Sequence, residues 1–355
     1  MALLFMDGFD HYATADVTEK WTSVSDASHP VIGAYGRTGT QGLLLSGANQ
    51  IGSVVMTVLG GVDEAIVGFA FKLASGAPSG AALWAFGSAN AWECGVRLNA
   101  DLTLQPVRCA TNFQPGAPNF LTGIGVATTA ALQVGVWAYI EIQMKVSATV
   151  GTCTIRINGN GVTAQTGLNT LGAVAALTRI GIGGLATSAG ACHYDDLVMM
   201  DLSGSLNNAF IGDCRVVTLL PQTDAVAAGS NANFTCSTGT DHGALVDEAA
   251  PNDDTDHVFS SALNHVDTWN YPALGYTGTI KGVQMSLSAK KTDSGTRAIA
   301  AVTRPVATNR VHATNHYIGT SYAYWKSIWE VNPEDSAAWE VADVDGAEFG
   351  VKVMV

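Results

Sequence analysis

The sequence predicts an all-β protein of two domains, a sandwich of antiparallel strands followed by a second, smaller β-sandwich. Three observations predict it. The chain has 355 residues, more than one ordinary core needs and comfortable for two. It carries 39 glycines and only 13% charged residues, a composition suited to short strands and tight turns rather than solvent-facing helices. Its apolar residues recur with a period of two, the signature of half-buried strands.

The clearest strand covers residues 139–146, where Ile140, Ile142, Met144 and Val146 alternate with Tyr139, Glu141, Gln143 and Lys145. Residues 152–158 repeat the pattern with Cys153, Ile155 and Ile157 on one side. A short turn at 147–151 makes the two a hairpin. Asn158-Gly159-Asn160-Gly161 then forms another turn, because Asn and Gly tolerate the positive φ of tight hairpins. Residues 179–184 and 193–200 supply two later strands, and the apolar runs 65–72 and 81–86 supply two earlier, buried ones. After Ser203 the chain passes through Asn207-Asn208 into an expected strand at 215–220, closed by Pro221. A glycine- and asparagine-rich loop leads to further strands at 280–287, 296–303 and 348–355. The last places Phe349, Val351, Val353 and Val355 on one face, so it belongs inside a sheet. These signals set the domains at 1–203 and 204–355.

Several motifs of the first domain occur in a telling order: a Trp-led strand at 137–142, a strand ending Ile157-Asn158-Gly159, the Ile-Gly-Ile-Gly run, and a closing Tyr194-Asp195-Asp196-Leu197. In this order, with Met6-Asp7-Gly8-Phe9-Asp10 as a first strand beside the closing one, the region resembles the laminin-G/concanavalin A-like lectin and glucanase superfamily. The resemblance implies a jelly-roll sandwich and says little about function. Residues 210–221, Val246-Asp247-Glu248 with 253–256, and 324–333 followed by Trp339 and 348–353 resemble virion structural proteins of tailed bacteriophages, tail-fibre-like or minor particle components. That resemblance implies a non-enzymatic particle component, assembled in the host cytoplasm, self-associating as a homotrimer and contacting other virion proteins.

Charge excludes one class of partner. The net charge is −13, and no basic cluster exceeds Lys290-Lys291, so the cations that phosphate binding requires are missing and nucleic acid is not expected. No window reaches the roughly 18 apolar residues of a membrane helix, and the first seven residues lack the basic and apolar regions of a signal peptide. Folding in a cytosol is therefore expected. The six cysteines form no Cys-x-x-Cys pair, which predicts free thiols rather than a metal or redox centre.

Chemistry-bearing patterns are scarce. A glucanase jelly roll needs paired carboxylates on one strand, facing one cleft. The nearest runs, Tyr194-Asp195-Asp196 and Glu340-Val341-Ala342-Asp343, have the wrong spacing or lie outside the first domain. No nucleophile elbow or zinc-protease helix occurs, and His312 and His316 stand four apart without other ligands. Asp195 and Asp196 read as structural, one of them bonding a turn's backbone amides, because strand neighbours point to opposite faces and do not share one ion. The acidic run 252–256 reads as a solvated turn. No catalytic residue, metal or cofactor is expected. Tyr317, Tyr322, Tyr324, Trp325, Trp329 and Trp339 crowd one region; they are expected to fill the second core, to form a subunit interface, or to present stacking faces to a host surface glycan. Within 324–329 a short helical turn is also compatible with the pattern.

Overall fold

The computed structural model describes residues 2–25, 30–47, 53–75, 81–88, 91–109, 121–185, 190–225 and 231–355. The chain is nearly all β and divides into two compact units. The first is Met1–Asp10 with Thr14–Val216, and the second is His11–Ala13 with Val217–Val355.

The first unit is built on an eight-stranded and a seven-stranded sheet, both antiparallel. In the larger sheet Ala138–Lys145 lies between Gly151–Ile157 and Glu64–Ser75, and Glu64–Ser75 lies next to the closing strand Gly190–Asp201. The opening strand Leu3–Asp7 pairs with that closing strand, Asp7 opposite Leu197, as the jelly-roll resemblance implies. The smaller sheet runs Leu121–Gly123, Leu104–Cys109, Ala91–Leu98, Ala81–Ser88, Leu177–Leu185, Ser53–Val62, Ser23–Ser25. Period-two patterning sends Val67, Phe69, Phe71 and Ile142 inward from the larger sheet and Phe86, Val96, Ile180 and Ile182 inward from the smaller, all essentially fully buried. Burying such side chains contributes about 1.5–3 kcal/mol each. The hairpin turn expected at Asn158-Gly159 forms, with φ of 51° and 77° and Ile157 paired to Asn160, the combination that two-residue loops favour.

The second unit holds a six-stranded sheet in which Glu348–Val353 is central, flanked by Val266–Asn270 and Ala298–Arg304. A separate antiparallel pair, Val283–Ala289 with Ala323–Trp329, packs Met285 and Trp329 against Trp269, Ile299, Phe349 and Val351 of that sheet. This makes a small sandwich with one aromatic-rich core.

Three expectations change. Residues 215–220 form no strand: the amide of Val216 is taken by the Asp196 carboxylate rather than by a neighbouring chain, and Leu219 packs on the second core. Residues 204–216 accordingly belong to the first unit and not to the second. Residues 324–329 are strand rather than helix, because pairing with Val283–Ala289 satisfies their backbone. The sequence also gave no hint that His11–Ala13 joins the second unit, where the Tyr12 ring meets Tyr324 edge-on at 6.0 Å and the Tyr324 hydroxyl bonds the His11 carbonyl. Among the described residues no helix is long and apolar enough to cross a membrane.

Candidate functional site

The closing strand of the first unit is broken by a bulge. Asp195 lies opposite Ala70 and Val198 opposite Gly68, so one extra residue is inserted, and Asp196 takes φ 51°. The bulge defeats the strand rule that separates neighbouring side chains, and both carboxylates turn to Arg37. The Arg37 amide donates to Asp195 Oδ2 at 2.7 Å, and its guanidinium reaches Asp196 at 3.4 Å and grips Asp213 through two bonds of 2.6 and 2.7 Å. Asp196 Oδ1 accepts the Val216 amide, so the expected role of bonding backbone amides holds. Burial, then the neighbouring Asp196 charge, raises Asp195 to about 7, and burial raises Asp10 to about 6.

This clamp fixes one end of an irregular strap, residues 203–216, across the outer face of the larger sheet. Gly212 donates to Glu141 Oε1 at 2.8 Å, Cys214 Sγ meets the Tyr139 hydroxyl at 2.8 Å, and the Arg156 guanidinium sits 4.4 Å over the Phe210 ring. Tyr139, Glu141 and Val198 of the sheet are buried. Asp7, opposite Leu197 in the sheet, forms a buried pair with Lys20 at 3.0 Å, and the Trp21 ring stacks on Phe9.

Beyond the strap the same sheet face carries an aromatic ladder. His193 is flanked by Tyr35, with centroids 5.0 Å apart, and by Trp137 at 6.4 Å. Lys72, directly opposite His193 in the sheet, places its ammonium 4.9 Å over the Trp137 ring. All four side chains are half-buried. Burial, then the Lys72 charge, lowers the His193 pKa, and His193 Nδ1 is buried with no protein partner. The outer face of the smaller sheet also has a tryptophan, but Trp92 lies packed on Gly181, where any Cβ would collide with its ring, and the Arg179 guanidinium caps it at 4.5 Å. That ring is consumed by packing.

The six aromatic residues singled out from the sequence do not act together. Trp329 and Trp339 are buried, joined by a bond from the Trp339 indole to the Trp329 carbonyl at 3.1 Å. They are core, which removes both as interface anchors or glycan platforms. Trp325 is half-buried against the same core, its ring tilted over His316 at 5.5 Å. Tyr324 is turned to His11 and Tyr12. Tyr322 bonds Asp254 and is covered by the Lys290 ammonium at 4.5 Å, which places Asp254 of the acidic run in a surface ion pair. Tyr317 alone of the six is largely exposed, at 62%, on the short strand His316–Tyr317 that pairs with Ala298–Arg304.

Other patterns resolve structurally. His312 bonds the Ile328 carbonyl and His316 the Ser327 hydroxyl. Asp343 accepts the Glu340 amide at the start of helix Val341–Gly346, so the Glu340–Asp343 pair caps a helix. All six cysteines are free thiols, and burial pushes Cys109, Cys153, Cys192 and Cys214 up to about 12. Among the described residues no group of three or more His, Cys, Asp or Glu is arranged to hold a metal ion.

No known family profile matches the chain, and no curated protein sequence does. Among solved structures it is similar to a cellulose-induced protein, Cip1, at 11% identity and TM-score 0.41, over 59% of this chain and all of that one. A sialidase matches at 12% identity and TM-score 0.39 over 56% of this chain, which spans only 18% of the sialidase. A carbohydrate esterase from Shiga toxin-encoding bacteriophage phi24B matches at 13% identity and TM-score 0.36, over 55% of this chain and 99% of its own. These are likenesses of β-sandwich fold alone.

Proposed function

We propose that the chain is a non-catalytic structural component of a tailed-phage particle, tail-associated or capsid-decorating, that acts through self-association and contacts with other virion proteins. One observation carries the non-catalytic part: the buried carboxylates serve the architecture. Asp7 is held by Lys20, Asp196 by Arg37, Glu141 by the strap amide of Gly212, and Glu348 by Arg304. A glycosidase instead needs two carboxyl groups facing one cleft about 5–10 Å apart. The particle assignment rests on the sequence resemblance, and the homotrimer on the symmetry that repeated particle subunits obey. Immunogold electron microscopy of purified particles tests it: label at a symmetric position on head or tail is expected, and a chain absent from the particle overturns it. Release of sugar from host capsule, abolished by a single Asp or Glu substitution, overturns the non-catalytic claim.

A second reading, a receptor-binding protein whose jelly roll holds a host surface glycan, is favoured by the half-exposed ladder of Tyr35, His193 and Trp137.

A further inference from the structure

The outer face of the larger sheet is divided. The strap covers the rows containing Tyr139 and Glu141, whereas His193, Lys72 and Trp137, in a neighbouring row, stay half-exposed. Tyr35 is set against that row by its own turn: its amide bonds the Gly33 carbonyl at 2.6 Å, and its ring lies close enough over Gly33 that a Cβ there would press on it at 3.0 Å. The rings are thus positioned before any ligand arrives.

Lys72 is the informative residue. Its ammonium contacts the Trp137 ring and, among the described residues, forms no ion pair, although the chain carries a net charge of −13. An unpaired cation on an aromatic face leaves its charge available to an incoming anion. The neighbouring His193 has its pKa lowered by burial and then by the Lys72 charge, which fits a cation standing beside it. The orphaned Nδ1 of His193 is a polar atom of the kind that binding sites leave for a ligand. The half-exposed Tyr35 and Trp137 rings, each tilted 54° to His193, offer apolar surface to the C–H groups of a pyranose; an acidic peptide side chain would use the ammonium and leave the rings idle.

We propose that Tyr35, Lys72, Trp137 and His193 bind an acidic sugar of a surface polysaccharide, with the sugar ring on the aromatic faces and its carboxylate at the Lys72 ammonium. The inference rests on the glycan-binding reading above and narrows it to uronic-acid-type residues.

Titrating the full chain with oligogalacturonides, alginate oligomers and hyaluronan oligomers, followed by calorimetry and tryptophan fluorescence, tests it. Carboxyl-reduced oligogalacturonides serve as the neutral control and a poly-glutamate peptide as the acidic one. At least one acidic oligosaccharide is expected to saturate below about 1 mM, the weak edge of specific binding. Its carboxyl-reduced form, and the Lys72→Gln variant, should bind about tenfold more weakly, and Trp137→Ala should lose binding with an unchanged melting temperature for Lys72→Gln confirming the fold. Reduced oligomers binding as tightly as acidic ones, with both lost in Trp137→Ala, overturn the acidic assignment and leave glycan binding standing. Poly-glutamate binding as well as the sugars overturns the sugar assignment. Saturation by none of the probes overturns both this inference and the glycan reading.

Discussion

Replacing Lys20 by methionine removes a charge from a place that water does not reach. The ammonium and the Asp7 carboxylate are 3.0 Å apart, with side-chain exposures of 2% and 0%, and Asp7 also accepts the Phe9 amide at 2.8 Å. At an effective dielectric of about 20, charges at that separation attract by roughly 5 kcal/mol. Desolvation opposes this, and for Lys20 it dominates: burial lowers its pKa against the upward pull of Asp7. The net worth of the pair is therefore small, while the cost of breaking it is large, because a buried carboxylate is left without its counter-ion. Lys20→Met is expected to destabilise the first unit by about 3–5 kcal/mol, a drop in melting temperature of roughly 10 °C for a unit of this size. The double variant Asp7→Asn/Lys20→Met should recover much of that loss. Urea denaturation of the full chain, followed by tryptophan fluorescence and circular dichroism, measures both. A single variant that loses less than about 1 kcal/mol, or a double variant no better than the single one, refutes the argument.

Further outcomes follow from the same geometry. Because Asp195 is raised to about 7, its ionisation works against the fold: the penalty is complete above pH 7, shrinks as pH falls through 7, and is gone below the unfolded value near 4. Asp195→Asn should stabilise the chain by about 1–3 kcal/mol at pH 8 and by almost nothing at pH 4.5; equal effects at both pH values count against it. Trp329→Ala, at the centre of the second core, should cost about 3–5 kcal/mol of stability, whereas Tyr317→Ala should change stability by under about 0.5 kcal/mol and weaken self-association in sedimentation experiments if the exposed edge is a subunit contact. Arg37→Ala, which frees Asp213 and Asp196, should expose residues 203–216 to limited proteolysis while the strands persist by circular dichroism; unchanged cleavage would show that the clamp does not hold the strap.

The fold was legible where local pattern and burial agree. Ile140, Ile142 and Met144 alternate with polar residues and face the core, and Asn158-Gly159 dictates its own turn. The chain misleads where a side chain replaces a backbone partner. Residues 215–220 carry strand-forming residues, yet Asp196, twenty positions earlier in sequence, takes the amide that a ladder would need. A pattern of apolar residues reports burial and not the source of the hydrogen bond, so residues 215–220 predict a strand that does not form, and the sequence places the border at 203 where the first unit runs on to Val216. The helix at Val341–Gly346 was missed for a related reason: Glu340 and Asp343 were weighed as carboxylates for chemistry, when the spacing of three also suits a helix start.

The candidate site was less legible, because its parts come from two strands, the residue that precedes a third, and a turn. Trp137, Lys72, His193 and Tyr35 are far apart in sequence and meet only through the pairing of Glu64–Ser75 with its neighbours. The dense aromatic run 317–339 is the stronger signal in the sequence, and of its six aromatic residues Trp329 and Trp339 are buried while Tyr317 is largely exposed. Closely spaced aromatics alternate in and out of one sheet pair, and their inward members fill a core first. A dispersed set that stays half-exposed after folding has no such duty. The signal available beforehand was small: Lys72 interrupts the apolar run of its strand, and a polar residue in such a run marks a place where one face opens. Where the strap ends, that face opens onto the ladder, and the half-buried Lys72 stands there, among the described residues, without a carboxylate of its own.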